Sequence, residues 1–168
     1  MKKSLSGRFI RVVGSLGFCL SLTILAWPQG GAGTFHAFYT AADVNLSGDL
    51  IHLYTSSGTW HYDDLTSLTT AGPPAAGSPL TSFSDSAGQH IFYFKQNGSL
   101  HVFQLYWQRS NSSWHDQDLT VAASSATLPD IGAGTTSFGD NTGSEHLSYQ
   151  GTDQNVHHLY FNLNWGPG

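Results

Sequence analysis

Hydrophobic and polar positions along this chain alternate over short stretches and never hold a helical period. In the middle of the chain, an extended backbone sends Ile91 and Tyr93 to one side and His90, Phe92 and Phe94 to the other. Val102 and Tyr106 oppose Phe103, Leu105 and Trp107 in the same way. Both sides are therefore largely apolar or aromatic. A sheet with one wet face would alternate cleanly, so these segments are predicted to be packed on both faces. Turn formers separate them: Ser86-Ala87-Gly88, Asn97-Gly98 and Ser110-Asn111-Ser112. The pattern predicts strands over 80–84, 90–94, 100–107 and 114–120.

The same pattern returns along the chain. His36, His90 and His146 each open a His-x-x-Tyr string, ending at Tyr39, Tyr93 and Tyr149. A Leu-Tyr pair follows each (Leu53-Tyr54, Leu105-Tyr106, Leu159-Tyr160), and then a tryptophan, Trp60, Trp114 or Trp165. Asp64-Leu65-Thr66 and Asp118-Leu119-Thr120 come after the first two tryptophans. Thr81-Ser82-Phe83 and Thr136-Ser137-Phe138 precede the second and third histidines, and each reaches an aspartate, Asp85 or Asp140. The spacing is steady: 54 residues from His36 to His90 and 56 from His90 to His146. Four antiparallel strands in roughly 50 residues is the form of a propeller blade. The expectation is an all-β, partial β-propeller of about three four-stranded antiparallel blades, near 34–70, 80–123 and 135–166. The first blade is expected to lack its opening strand and the last its closing motif. Rings need about four blades or more, so the chain is expected either to be part of a longer protein or to self-associate to complete a ring.

Composition narrows the function. Charged residues make up 10% of the chain, aromatics 13%, and the net charge is −5. A nucleic-acid partner is disfavoured, because phosphate binding calls for a basic surface. Four of the six basic residues, Lys2, Lys3, Arg8 and Arg11, crowd the N-terminus ahead of an uncharged apolar run at 12–26. That reads as a secretory signal peptide over about 1–32 and predicts a secreted protein with no membrane attachment after cleavage. Cys19, the single cysteine, lies inside the run, so the mature chain is expected to hold no disulfide or thiolate site.

Each candidate binding residue has a plain alternative. Trp60, Trp114 and Trp165 could stack on the C–H face of a pyranose, or simply fill space between blades. His61 and His115 follow two of them and could both donate to and accept from hydroxyls, or lie exposed at an edge. His36, His90 and His146 are placed so regularly that a structural role is favoured, tying blade to blade through a backbone carbonyl. Asp64 and Asp118 could accept from a sugar hydroxyl, with capping of the following turn favoured. His157 and His158, adjacent on a strand, point to opposite faces and cannot chelate one metal together. No cofactor or metal site is expected.

The strings Thr59-Trp60-His61-Tyr62-Asp63-Asp64-Leu65-Thr66 and Ser113-Trp114-His115-Asp116-Gln117-Asp118-Leu119-Thr120, with Asn155-Val156-His157-His158-Leu159-Tyr160, resemble the PLL-like β-propeller lectins. These are seven-bladed sugar binders related to the fungal fucose-specific lectins. The resemblance implies shallow glycan pockets between adjacent blades, with fucose or O-methylated sugars as the usual ligands. It also implies cell-surface glycans or glycoproteins as partners. The fungal lectins repeat an Arg, Glu and Trp in every unit. Here Arg109 has no counterpart in the other units and Glu145 is the chain's one glutamate.

An enzyme is not expected. Glycoside hydrolysis uses two carboxylates in distinct roles, and none of the repeated aspartates forms a unique pair with Glu145. No Gly-x-Ser-x-Gly elbow, zinc signature or phosphate loop occurs. Repeated polar residues suit a multivalent binder. The alternative is a protein-binding propeller scaffold without sugar binding.

Overall fold

A computed structural model describes residues 23–27, 34–41, 48–124 and 126–162. These residues form eleven strands and two single-turn helices. The first sheet holds β1 (Thr23–Trp27), β2 (Thr34–Thr40), β3 (Leu50–Ser56) and β4 (Thr59–Asp64), each antiparallel to the next. After α1 (Leu65–Leu68), the second sheet repeats that order with β5 (Thr81–Ser84), β6 (Gly88–Asn97), β7 (Ser99–Gln108) and β8 (Ser113–Asp118). Helix α2 (Leu119–Ala122) leads to a third sheet of β9 (Thr135–Gly139), β10 (Ser144–Gln150) and β11 (Val156–Asn162). The chain is thus an all-β, partial propeller.

The opening strands lie side by side at the inner edge of the sheets. β1 neighbours β5, and β5 neighbours β9. The Thr81 and Ser137 hydroxyls meet at 3.0 Å. Gly139 is needed there, because a Cβ on it would come within 2.9 Å of the Phe83 ring.

The packing repeats from sheet to sheet. Each sheet has a leading face, carrying the second-strand histidine, and a trailing face on the opposite side. Phe38, Leu50 and Leu65 from the leading side of sheet one pack against Ile91, Tyr93, Phe103 and Leu105 on the trailing face of sheet two. One unit later, Phe92, Val102 and Leu119 pack against Leu147 and Tyr149. Both faces of the middle sheet are therefore buried, which is why neither is polar.

Two expectations are corrected. The first sheet does have an opening strand: Leu25 pairs with His36 as Phe83 pairs with His90 and Phe138 with His146. β1 comes from the segment read as the end of the leader. A short apolar run serves a strand as well as a leader, and periodicity does not separate the two.

The second correction concerns the fourth strand, which ends at Asp64 and Asp118 and does not run on to the threonine. Asp-Leu-Thr forms a clasp. The Asp64 and Asp118 carboxylates accept from the amides of Ser67 and Val121, capping α1 and α2. Leu65 and Leu119 are fully buried. The Thr66 and Thr120 hydroxyls accept from the amides of Leu50 and Val102, each at 2.9 Å.

Candidate functional site

An aromatic ladder crosses every sheet at one register. In the second, Phe83, His90, Tyr106 and His115 stand opposite one another in turn, their rings near-parallel at centroid separations of 4.7, 6.4 and 5.2 Å. His36, Tyr54 and His61 repeat it in the first sheet, and Phe138, His146 and Tyr160 in the third. Cross-strand aromatic pairs stabilise a sheet, and here they also pave the leading face.

At the first seam this face meets sheet two across a cavity of about 240 Å³ lined by His36, His52, Tyr54, Asp63, Gln89, Trp107 and Trp114. The rings of His36 and His52 stack, with His36 Nδ1 2.8 Å from His52 Nε2. The Gln89 amide reaches His36 Nδ1 from the opposite sheet at 3.1 Å. Trp114 stands edge-on to His52 at 5.6 Å and to Phe38 at 6.4 Å. Burial lowers the pKa of His36. Burial, aided by neighbouring His36, brings His52 down to about 3, so both rings are neutral at pH 7. His52 Nδ1 is buried without a hydrogen-bond partner; Asp63 Oδ2 lies 3.5 Å away, but not in hydrogen-bonding alignment.

The second seam uses the same positions with different chemistry. His90 replaces His36, Gln104 replaces His52, and Glu145 stands where Gln89 does. His90 Nδ1 lies 3.0 Å from Glu145 Oε1 and His90 Nε2 lies 3.3 Å from Asp85 Oδ1. The Gln104 amide donates to the other Glu145 oxygen. Burial works against a charged His90, but the two carboxylates outweigh it and raise its pKa to about 9. The first seam sets neutral histidines beside the Asp63 carboxyl, where the second holds an imidazolium between two carboxylates. Above His90 and Tyr106 a cleft of about 470 Å³ opens, rimmed by Ala87, Gln108 and Arg109. In the third sheet His146 pairs with His158 at 3.0 Å and with Asp140 at 3.2 Å.

The structure separates some of the predicted residues and joins others. Trp114 and His115 face opposite seams: Trp114 joins His36 and His52 of the preceding sheet at the first, and His115 lies on the face that meets the second. His61 stacks on Tyr54 on the leading face, and His115 stacks on Tyr106 with its Nε2 2.8 Å from Ser113 Oγ. Trp60 is exposed on the trailing face of sheet one. Asp64 and Asp118 cap helices, and Asp118 also holds His101 at 2.8 Å. Trp165, Cys19 and most of the expected leader lie outside the described residues. The second-strand histidines do tie sheet to sheet, but through side chains, Gln89 at His36 and Glu145 at His90, and not through a backbone carbonyl. A buried imidazolium demands a carboxylate that a carbonyl cannot replace. Sequence reasoning missed His52, Gln89 and Gln104; their signal was a fixed offset from the Leu-Tyr and His landmarks.

No family model matches the chain, and no curated protein sequence is similar to it. Solved structures share the fold. One is the Aleuria aurantia lectin in complex with Fucalpha1-6GlcNAc, at a TM-score of 0.64 and 17% identity, over 86% of this chain and 44% of that one. Another is a fucose lectin from Kordia zhangzhouensis in complex with methyl-fucoside, at a TM-score of 0.54 and 18% identity, over 84% of this chain and 94% of that one. The chain therefore spans less than half the length of the Aleuria protein and nearly all of the Kordia protein.

Proposed function

We propose that the protein is a secreted, non-enzymatic lectin that binds uncharged glycans in the clefts between its sheets, with fucose and O-methylated sugars as the first ligands to test. The observation carrying this is the first seam, where neutral His36 and His52, the latter with a ring nitrogen lacking a hydrogen-bond partner, line a cavity walled by Trp114, Trp107 and Tyr54. A pyranose offers an apolar C–H face for the indole and hydroxyl donors for the imidazole. Asp63 supplies a carboxyl acceptor there, and the cavity walls hold no lysine or arginine, which disfavours acidic sugars. The fucose lectins that share the fold point the same way. Asp64, Asp118, Asp85 and Glu145 are engaged in caps and in the second seam, which supports binding over catalysis.

The test is a glycan array with the full chain, followed by titration calorimetry with methyl-fucoside. Binding to neutral glycans that drops at least roughly tenfold on Trp114→Phe, with an unchanged circular dichroism spectrum, supports the reading. Silence across all saccharides from a folded sample would overturn it in favour of a protein-binding scaffold.

A further inference from the structure

At the tip of the second sheet, away from both clefts, three side chains are joined by hydrogen bonds in series. Ser99 and His101 lie at the start of β7 and share one face of the strand. Asp118, the last residue of β8, pairs in register with Phe103 and reaches back to His101. Its Oδ2 lies 2.8 Å from His101 Nδ1, and His101 Nε2 lies 3.0 Å from Ser99 Oγ. A carboxylate only accepts, so in the neutral ring Nδ1 carries the proton and Nε2 accepts from the serine hydroxyl. Asp118 is itself held in place. Its Oδ1 accepts from the Val121 amide, and Asn97 donates to its Oδ2 at 3.3 Å.

We propose that Ser99 is an activated nucleophile that takes an acyl group from uncharged activated esters. Ser99 Oγ attacks the ester carbonyl carbon while His101 Nε2 takes the hydroxyl proton. The tetrahedral adduct then collapses: the bond from the carbonyl carbon to the leaving oxygen breaks, and His101 gives its proton to the departing alcohol. The acyl group is left on Ser99, which makes this a modification site. Asp118 is a positioning residue that keeps the ring turned toward the serine. Lys95 stands opposite His101 in register and offsets the Asp118 carboxylate, which favours an uncharged ester.

Two observations favour this over a purely structural bond. The residues just before Leu50, Val102 and Val156, equivalent positions in the three sheets, are Asp49, His101 and Asn155. The cap on α1 forms with no imidazole at that place, so the fold of a unit does not call for one. The serine is also open to approach: Gln96, Asn97 and Gly98 beside it are exposed, and a Cβ added to Gly98 would meet no atom within 4 Å. His101 and Trp107 are separated by about 20 Å of strand, so the site does not depend on the lectin reading.

The test is to incubate the full chain with para-nitrophenyl acetate and map the acetyl groups by peptide mass spectrometry. Acetylation of Ser99 ahead of every other residue is expected. His101→Gln should slow it at least roughly a hundredfold. Asp118→Asn, which retains a helix cap, should slow it at least roughly tenfold. Both variants should keep the parent circular dichroism spectrum. Ser99→Ala should lose the label and keep glycan binding. Acetyl groups on lysines alone, or an unchanged rate at Ser99 in His101→Gln, would overturn the inference.

Discussion

His90 and Glu145 meet 3.0 Å apart across the second seam, both buried, and Asp85 holds the other ring nitrogen of His90. The pair is satisfied on every side the structure describes, since Gln104 donates to the second carboxylate oxygen. Glu145→Ala strands a buried imidazole beside Asp85 alone and is expected to cost about 3–5 kcal/mol in urea unfolding. Glu145→Gln keeps a hydrogen-bonding group where the first seam itself has Gln89, and should cost less than half as much.

Stability should peak near pH 6.5 and fall on both sides. His90 is held protonated to about 9, so its contribution is complete below 6.5, its ordinary value, and is lost as pH rises through 9. His52 is held neutral to about 3, so its contribution is present above 6.5 and lost as pH falls toward 3. Melting temperature against pH should show both limbs. His52→Gln, which installs the residue found at position 104, should shrink the acid limb, leaving the part that buried His36 contributes, and should not alter the alkaline limb.

Thr120→Val removes the hydroxyl that accepts from the Val102 amide while keeping the shape of the side chain. The buried amide is then left unpaired, and a loss of about 1–3 kcal/mol is expected. Asp118→Ala should remove the helix cap for about 1 kcal/mol, together with the bond to His101. Chemical denaturation of the two variants separates the effects.

A chain begun at residue 28 lacks β1 and with it the antiparallel partner of β2 along Thr34–Phe38. It should melt at a lower temperature than a chain begun at residue 23. Equal melting temperatures would show that β1 contributes nothing to the fold.

Much of this fold is legible in the sequence. The His-x-x-Tyr and Leu-Tyr strings keep the same residue types because they fill the same register positions, so repetition disclosed both the strands and the two-sided packing. The seam partners were harder to see. His52 and Gln104 occupy one position but differ in type, and Gln89 and Glu145 do likewise, so a search for identical residues passed over them. Gln89 and Gln104 also depend on neighbours 53 and 41 residues away in sequence, and only the packing of one sheet on the next brings them together. Trp114 was legible as a residue, but the seam it faces was not.

The Asp-Leu-Thr clasp makes its cap and its threonine bond within a single unit, while its leucine reaches into the seam with the next one. Each unit thus carries both its own lock and the plug for its neighbour, so a unit can be duplicated or lost in a gene without changing the kind of joint that remains. Natural variation should therefore be concentrated in the number of copies and in the chemistry of the joints between them, while the lock inside each copy is inherited intact.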